Sequence, residues 1–370
     1  MTATIRQAAG SFLIVGLSGL ELTSLERAWL KLIRPAGIIL FRRNIENSSQ
    51  SRKLLDDGTA LCSPYSFRCV DVEGGTVDRL REALAPMPSA QAVMRAATNT
   101  KNMELIRRQG ELVARAVRAF GLNTTLAPVL DIELPESASV LGTRAAAATA
   151  EGLVEYARGF LAGLAAHGVV ACGKHCPGLG GGALDSHLET PEIRRSWRDL
   201  WREDLLPYRI LSKALPMIMV SHAAYPETPG KYRPASVSQY WIANVLRKRI
   251  AYRGVIFSDD LEMGGILKLM TIEEAAIASI HAGMDLLEIC HSAELIIRAY
   301  EALISEGERS ATFRKLLLER AKMAARQRAR LFADGTSKAL SAKQFEVLRG
   351  SILRFGETIQ RAQPAEAKST

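Results

Sequence analysis

Gly168-Val-Val-Ala-Cys-Gly-Lys-His-Cys-Pro-Gly-Leu-Gly-Gly-Gly-Ala-Leu-Asp-Ser-His-Leu-Glu-Thr-Pro191 begins apolar and ends polar. The run Gly168 to Ala171 predicts a buried strand. Lys174 and His175 follow it, and the chain then turns through Pro177 and Gly178 into Gly180, Gly181 and Gly182. A glycine run loses much conformational freedom on ordering and predicts a mobile loop, not a packed element. Asp185 and His187 sit beyond it. In extended backbone, residues i and i+2 point to one side. Asp185 can therefore hold one tautomer of His187 and stabilise its protonated form, as acid–base chemistry needs. An Asp-x-His pair taken alone is usually an ordinary surface hydrogen bond; the glycine loop and the preceding Lys174-His175 favour the functional reading.

Outward from this stretch the same pattern recurs. Apolar runs Phe12 to Gly16, Gly37 to Phe41, Phe67 to Asp71, Thr124 to Ala127, Pro216 to His222, Gly254 to Asp260 and Met284 to Cys290 read as buried strands. Helical patterns or loops separate them. Thr23 with Glu26, and Thr271 with Glu274, have capping-box spacing. Leu25, Trp29, Leu32 and Ile33 are expected on one apolar face of the first of these helices, and Leu105, Gln109, Leu112, Val113 and Ala116 on one side of a helix from about 102 to 120. Eight strands alternating with helices predict an α/β fold, a (β/α)8 TIM-like barrel in a single domain. Its expected extent is residues 1–330, with 331–370 a C-terminal helical extension packed on the barrel or trailing from it. No Gly-x-Gly-x-x-Gly follows the first strand, which argues against the alternative of a doubly wound dinucleotide fold.

The 370 residues can bury a large core, and 48% hydrophobic with 24% charged residues is a globular composition. No apolar run reaches the roughly 20 residues of a membrane span. Phe12 to Leu20 reads as a strand, not a signal peptide. The cysteines 62, 69, 172, 176 and 290 are few, odd in number and scattered, which predicts reduced thiols and a cytoplasmic setting. Cys172 and Cys176 have no second pair to complete a zinc site, so no metal is expected. A net charge of +9 suggests nucleic acid, but much of the excess lies at helical spacing near the C-terminus, where a solvated face explains it. No nucleic-acid or membrane partner is expected; the sequence leaves the oligomeric state open.

Polar residues collect at the carboxyl ends of the strands, where such folds build their sites. Asp71 ends the third strand, Lys174 and His175 follow the fifth, His222 ends the sixth and Asp259 the seventh. A carboxylate there can attack an electrophilic carbon, and an imidazole on a loop can protonate a leaving group. Together they suit glycoside hydrolysis through a covalent intermediate, with a histidine where the usual template has a second carboxylic acid.

The sequence resembles the β-N-acetylhexosaminidases of glycoside hydrolase family 3. The likeness rests on Gly37-Ile-Ile-Leu-Phe41, Asp71-Val-Glu-Gly-Gly75, Ala127-Pro-Val-Leu-Asp131, Lys174-His-Cys-Pro-Gly178, Asp185-Ser-His187 and Phe257-Ser-Asp-Asp260. The resemblance implies a cofactor-free retaining enzyme in which Asp259 is the nucleophile, His187 the acid and base, and Asp185 its partner. It places Asp71, Arg79, Arg144, Lys174 and His175 on the hydroxyls of a terminal sugar. The implied substrate is terminal non-reducing β-linked N-acetylglucosamine, joined to 1,6-anhydro-N-acetylmuramic acid with or without peptide, in peptidoglycan recycling. Cys176 and Leu179 depart from the family's usual Phe and second His, and Val72 from its Gln. A broader β-glycosidase, a glycoside phosphorylase and a non-catalytic carbohydrate-binding barrel are the alternatives.

Overall fold

Short, fully buried strands cannot satisfy their backbone groups singly; eight of them do so here by closing on themselves. The computed structural model describes residues 4–182, 190–333, 335 and 337–363. Its barrel strands are β1 (Leu13–Gly16), β2 (Gly37–Leu40), β3 (Phe67–Val70), β4 (Thr124–Thr125), β5 (Val170–Cys176), β6 (Met217–Val220), β7 (Val255–Asp260) and β8 (Leu286–Ile289). Each pairs in parallel with its sequence neighbour, and β1 pairs with β8. Register is set by Ile14 opposite Gly37, Gly37 opposite Phe67 and Leu13 opposite Leu287. Alternate residues point inward, so Phe67 with Cys69, Val170 with Cys172, Met217 with Met219 and Val255 with Phe257 fill the interior. The other faces pack on the helical layer.

The helices used below are α1 (Ile5–Gly10), α2 (Ser24–Ile33), α3 (Ser48–Thr59), α4 (Ala90–Thr100), α5 (Glu104–Ala119), α6 (Ala150–Ala165), α7 (Ile272–Ala282), α8 (Ala293–Arg309), α9 (Ala311–Leu331) and α10 (Ala342–Arg361). The capping boxes at Thr23 and Thr271 both form. The face expected for α2 is corrected: Trp29, Leu30 and Ile33 are buried, while Leu25 and Leu32 are 67% and 58% exposed. Glu26 turns inward to take hydrogen bonds from Ser18 and Thr23, so the buried stripe follows positions 26, 29, 30 and 33. On α5 the expected Gln109, Leu112, Val113 and Ala116 are buried.

Two further expectations change. β5 runs to Cys176, so Lys174 and His175 lie within the strand; β6 carries the ladder that far, pairing Val220 with Cys176 across an irregularity. The glycine run and the turn before it are packed. Gly178 and Gly180 are buried. A side-chain carbon on Gly180 would lie 2.6 Å from the Ile132 carbonyl oxygen, and one on Gly178 2.8 Å from Asp204. Glycine serves here for close approach. α9 passes under the barrel, where Phe332 meets Phe67 edge to face at 4.9 Å. Among the described residues, no helix is long and apolar enough to cross a membrane.

Candidate active site

A cavity of about 490 Å³ opens at the carboxyl ends of the strands. Asp71, Arg79, Arg144, Lys174, His175 and Asp259 all line it. The topology brings together residues spread over nearly 190 positions. Asp185 and His187 lie outside the described residues.

The site is built on a buried charge network. Lys174 Nζ donates to Asp71 at 2.8 Å and pairs with Glu73 at 2.7 Å. Arg144 grips Glu73 with two hydrogen bonds of 2.9 Å. This bidentate pairing fixes the guanidinium in one plane. Burial opposes ionisation of Glu73, but Arg144 and Lys174 outweigh it and draw the carboxyl down to about 2. Burial likewise opposes the charge on Lys174, and Asp71 and Glu73 reverse the effect, holding the ammonium charged. Arg79 leans over Asp71 at 3.8 Å and over the Phe41 ring at 5.7 Å.

His175 is held by Asp131. Its Nδ1 lies 2.6 Å from Asp131 Oδ2, and its backbone N–H also points at that carboxylate. Nδ1 therefore bears a proton toward the carboxylate, and Nε2 faces Arg144 at 3.5 Å. Asp131 also accepts the Leu179 N–H at 2.8 Å, so one carboxylate ties the β5 histidine to the start of the glycine run.

Asp259 projects from the end of β7 into this field. Burial would raise its pKa, but His175, His222 and Lys174 outweigh that and hold it below the usual carboxylate range. A half-buried carboxylate kept ionised at a cavity wall can act as a nucleophile or stabilise a cation. The adjacent Asp260 behaves oppositely: burial lifts it to about 7. His222 is buried, with Nδ1 at 2.7 Å from Ser236 Oγ and Nε2 at 2.9 Å from the Asp260 carbonyl oxygen. A carbonyl can only accept, so Nε2 bears the proton, and His222 braces the end of β7.

Three residues absent from the sequence-derived site belong to it. Glu73 and Asp131 stand in the motifs Asp71 to Gly75 and Ala127 to Asp131, which carry the family likeness without assigning either a role. Glu288 sits in the apolar run of β8, lines the cavity and is 3% exposed. Its signal was a lone acid in an otherwise apolar strand. Burial, with Asp260, Asp71 and Asp259 nearby, pushes its pKa well up. Its side-chain partner among the described residues is the Cys290 thiol, at 3.4 Å.

Asp260, Glu262 and His291 place ligand-type atoms within 4.8 Å of one another. Glu262, however, accepts the backbone N–H groups of Cys290, His291 and Ser292, and Asp260 accepts that of Glu262. The group clamps the loop after β8, with its carboxylates already engaged.

The family described as Glycosyl hydrolase family 3 N terminal domain matches residues 5–318. A Beta-hexosaminidase of Pseudomonas aeruginosa is 37% identical over 294 residues, covering 79% of this chain and 86% of that one. The crystal structure of NagZ from Neisseria gonorrhoeae with N-trifluoroacetyl-D-glucosamine superposes with TM-score 0.77 at 28% identity, covering 93% of this chain and 98% of that one. A glycoside hydrolase family 3 beta-N-acetylglucosaminidase from Paenibacillus gives TM-score 0.85 at 28% identity, covering 96% and 69%.

Proposed function

We propose, since this chain belongs to glycosyl hydrolase family 3 and is a β-hexosaminidase, that it releases terminal non-reducing β-linked N-acetylglucosamine by a two-step retaining mechanism. Asp259 attacks the anomeric carbon, and the glycosidic bond breaks as His187, poised by Asp185, protonates the leaving oxygen. The glycosyl–Asp259 ester then yields to water, from which His187 takes a proton. Asp71, Arg79, Arg144, Lys174 and His175 hold the sugar's hydroxyls. Neither a cofactor nor a metal takes part in this reading.

The observation that carries it is Asp259: half-buried, lining the cavity, and kept ionised by His175, His222 and Lys174 against the pull of burial. The natural substrates are N-acetylglucosaminyl-1,6-anhydro-N-acetylmuramic acid and its peptides, in cytoplasmic peptidoglycan recycling. Two features support that finer reading. Arg42 and Arg43 also line the cavity and suit a carboxylate-bearing aglycone. All five cysteines are free and buried, in keeping with a reducing compartment.

The test compares an aryl β-N-acetylglucosaminide with the matching aryl β-glucoside, in wild type and Asp259→Ala. Strong preference for the N-acetyl sugar, abolished in the folded variant, is expected. Preference for the glucoside rejects the cell-wall role; substantial turnover by Asp259→Ala rejects the nucleophile.

A further inference from the structure

At the other end of the barrel, below the amino ends of β1 and β3, a groove of about 760 Å³ lies between α1, α9 and the turn at Ser63 and Pro64. Lys322, Arg326 and Arg328 line it, and among the described residues no carboxylate does. Lys322 and Arg326 are one helical turn apart on α9 and exposed at the rim. Arg328 forms the floor and is 3% exposed. Among the described residues its guanidinium makes one hydrogen bond, Nη1 to the Ser11 carbonyl at 3.0 Å, and its buried Nε has no partner. None of the three cations forms an ion pair among the described residues. Burial pulls Arg328 down to about 10, opposed only by the Cys62 thiol nearby.

A buried cation without a counter-charge is costly, and an anion seated against it offsets that cost. The planar guanidinium fork suits the oxygens of a tetrahedral oxyanion. A compact anion can pass the two rim cations and reach a floor that a macromolecular surface would not enter. We propose that this groove is an anion site, taking inorganic phosphate or a small phosphomonoester with Arg328 on the phosphate oxygens and Lys322 and Arg326 closing over it. The site is separate from the sugar cavity and does not depend on how that cavity is read.

The test titrates the full chain with inorganic phosphate, glucose 6-phosphate and acetate by calorimetry, with ionic strength held constant by potassium chloride. Saturable binding of phosphate, without comparable binding of acetate, is expected. Tighter binding of the sugar ester assigns a phosphomonoester; equal or weaker binding assigns inorganic phosphate. Lys322→Ala/Arg326→Ala, altered only at exposed positions, should lose about tenfold or more in affinity, as befits lost charge-assisted contacts. Arg328→Met should abolish binding, and should raise the Tm of the phosphate-free protein by removing an unpaired buried cation. A flat isotherm for wild type, acetate binding as tightly as phosphate, or wild-type affinity in either variant overturns the site.

Discussion

Glu73 shows how much one side chain can decide. It is 3% exposed and bears the partners of both Arg144 and Lys174. Its folded pKa of about 2 lies below the ordinary 4.5. A depressed carboxylate contributes stability that is present above the unfolded pKa and lost as pH falls toward the folded one. Glu73→Gln leaves two buried cations short of a counter-charge, which at pH 7 should cost about 3–5 kcal/mol. Urea unfolding of the two proteins should show that gap shrinking as pH drops from 4.5 towards 2; a gap independent of pH would mean that packing, not charge, is lost. Glu288 carries the opposite sign. Its folded pKa lies well above the ordinary value, so it takes stability away as pH rises past the unfolded pKa. Glu288→Gln keeps the shape and the neutral form. Its Tm should equal or exceed wild type at pH 5 and gain further by pH 8, with kcat nearly unchanged at pH 6. A large loss of kcat at pH 6 would show that the acidic proton itself is used.

Among the elements, β5 divides what the sequence could disclose from what it could not. Its apolar start, Val170 to Cys172, reads as a strand because a buried parallel strand is a continuous apolar run. Its second half does not, because Lys174 and His175 are polar. They are tolerated there only because Asp71, Glu73 and Asp131 arrive from other parts of the chain to satisfy them. A single strand's composition cannot report partners more than 40 residues away in sequence. The same reasoning separates the site residues found at strand ends, such as Asp71 and Asp259, from Glu288, whose run offers no end and no motif. The glycine run failed for a related cause: close approach to Ile132 and Asp204 is a tertiary fact. Gly180→Ala tests it. The added carbon would meet a backbone oxygen at 2.6 Å, and overpacking of this kind costs about 1–3 kcal/mol. Tm should fall, and kcat should fall more than KM rises, if displacement of the run also displaces the residues beyond it. An unchanged Tm would mean that the run is free to move aside.

Across the whole molecule, the C-terminal helices pack in two different places. α9 runs beneath the barrel, with Leu331 and Phe332 against its interior. α10 instead lies on α4 and α5, burying Leu348, Ile352, Phe355 and Ile359, with the Phe345 ring 6.0 Å from Phe120. The segment before it is held by Arg52, which donates to the Ser337 and Lys338 carbonyls. Much of the positive charge that first suggests nucleic acid is therefore the outer face of packed helices, as amphipathic spacing implies. Burial of a large apolar side chain is worth about 1.5–3 kcal/mol, so four of them matter to a marginally stable fold. None of the four lines the cavity at the carboxyl ends of the strands. A chain ending at residue 340 should therefore unfold at clearly lower temperature and urea concentration, with exposed apolar surface on α4 and α5 promoting association. At temperatures where it stays folded, its kcat and KM for an aryl β-N-acetylglucosaminide should match the full chain. Loss of kcat in the folded truncation would mean that the extension shapes the carboxyl end of the barrel through α4 and α5, an influence that the packing of α10 does not by itself require.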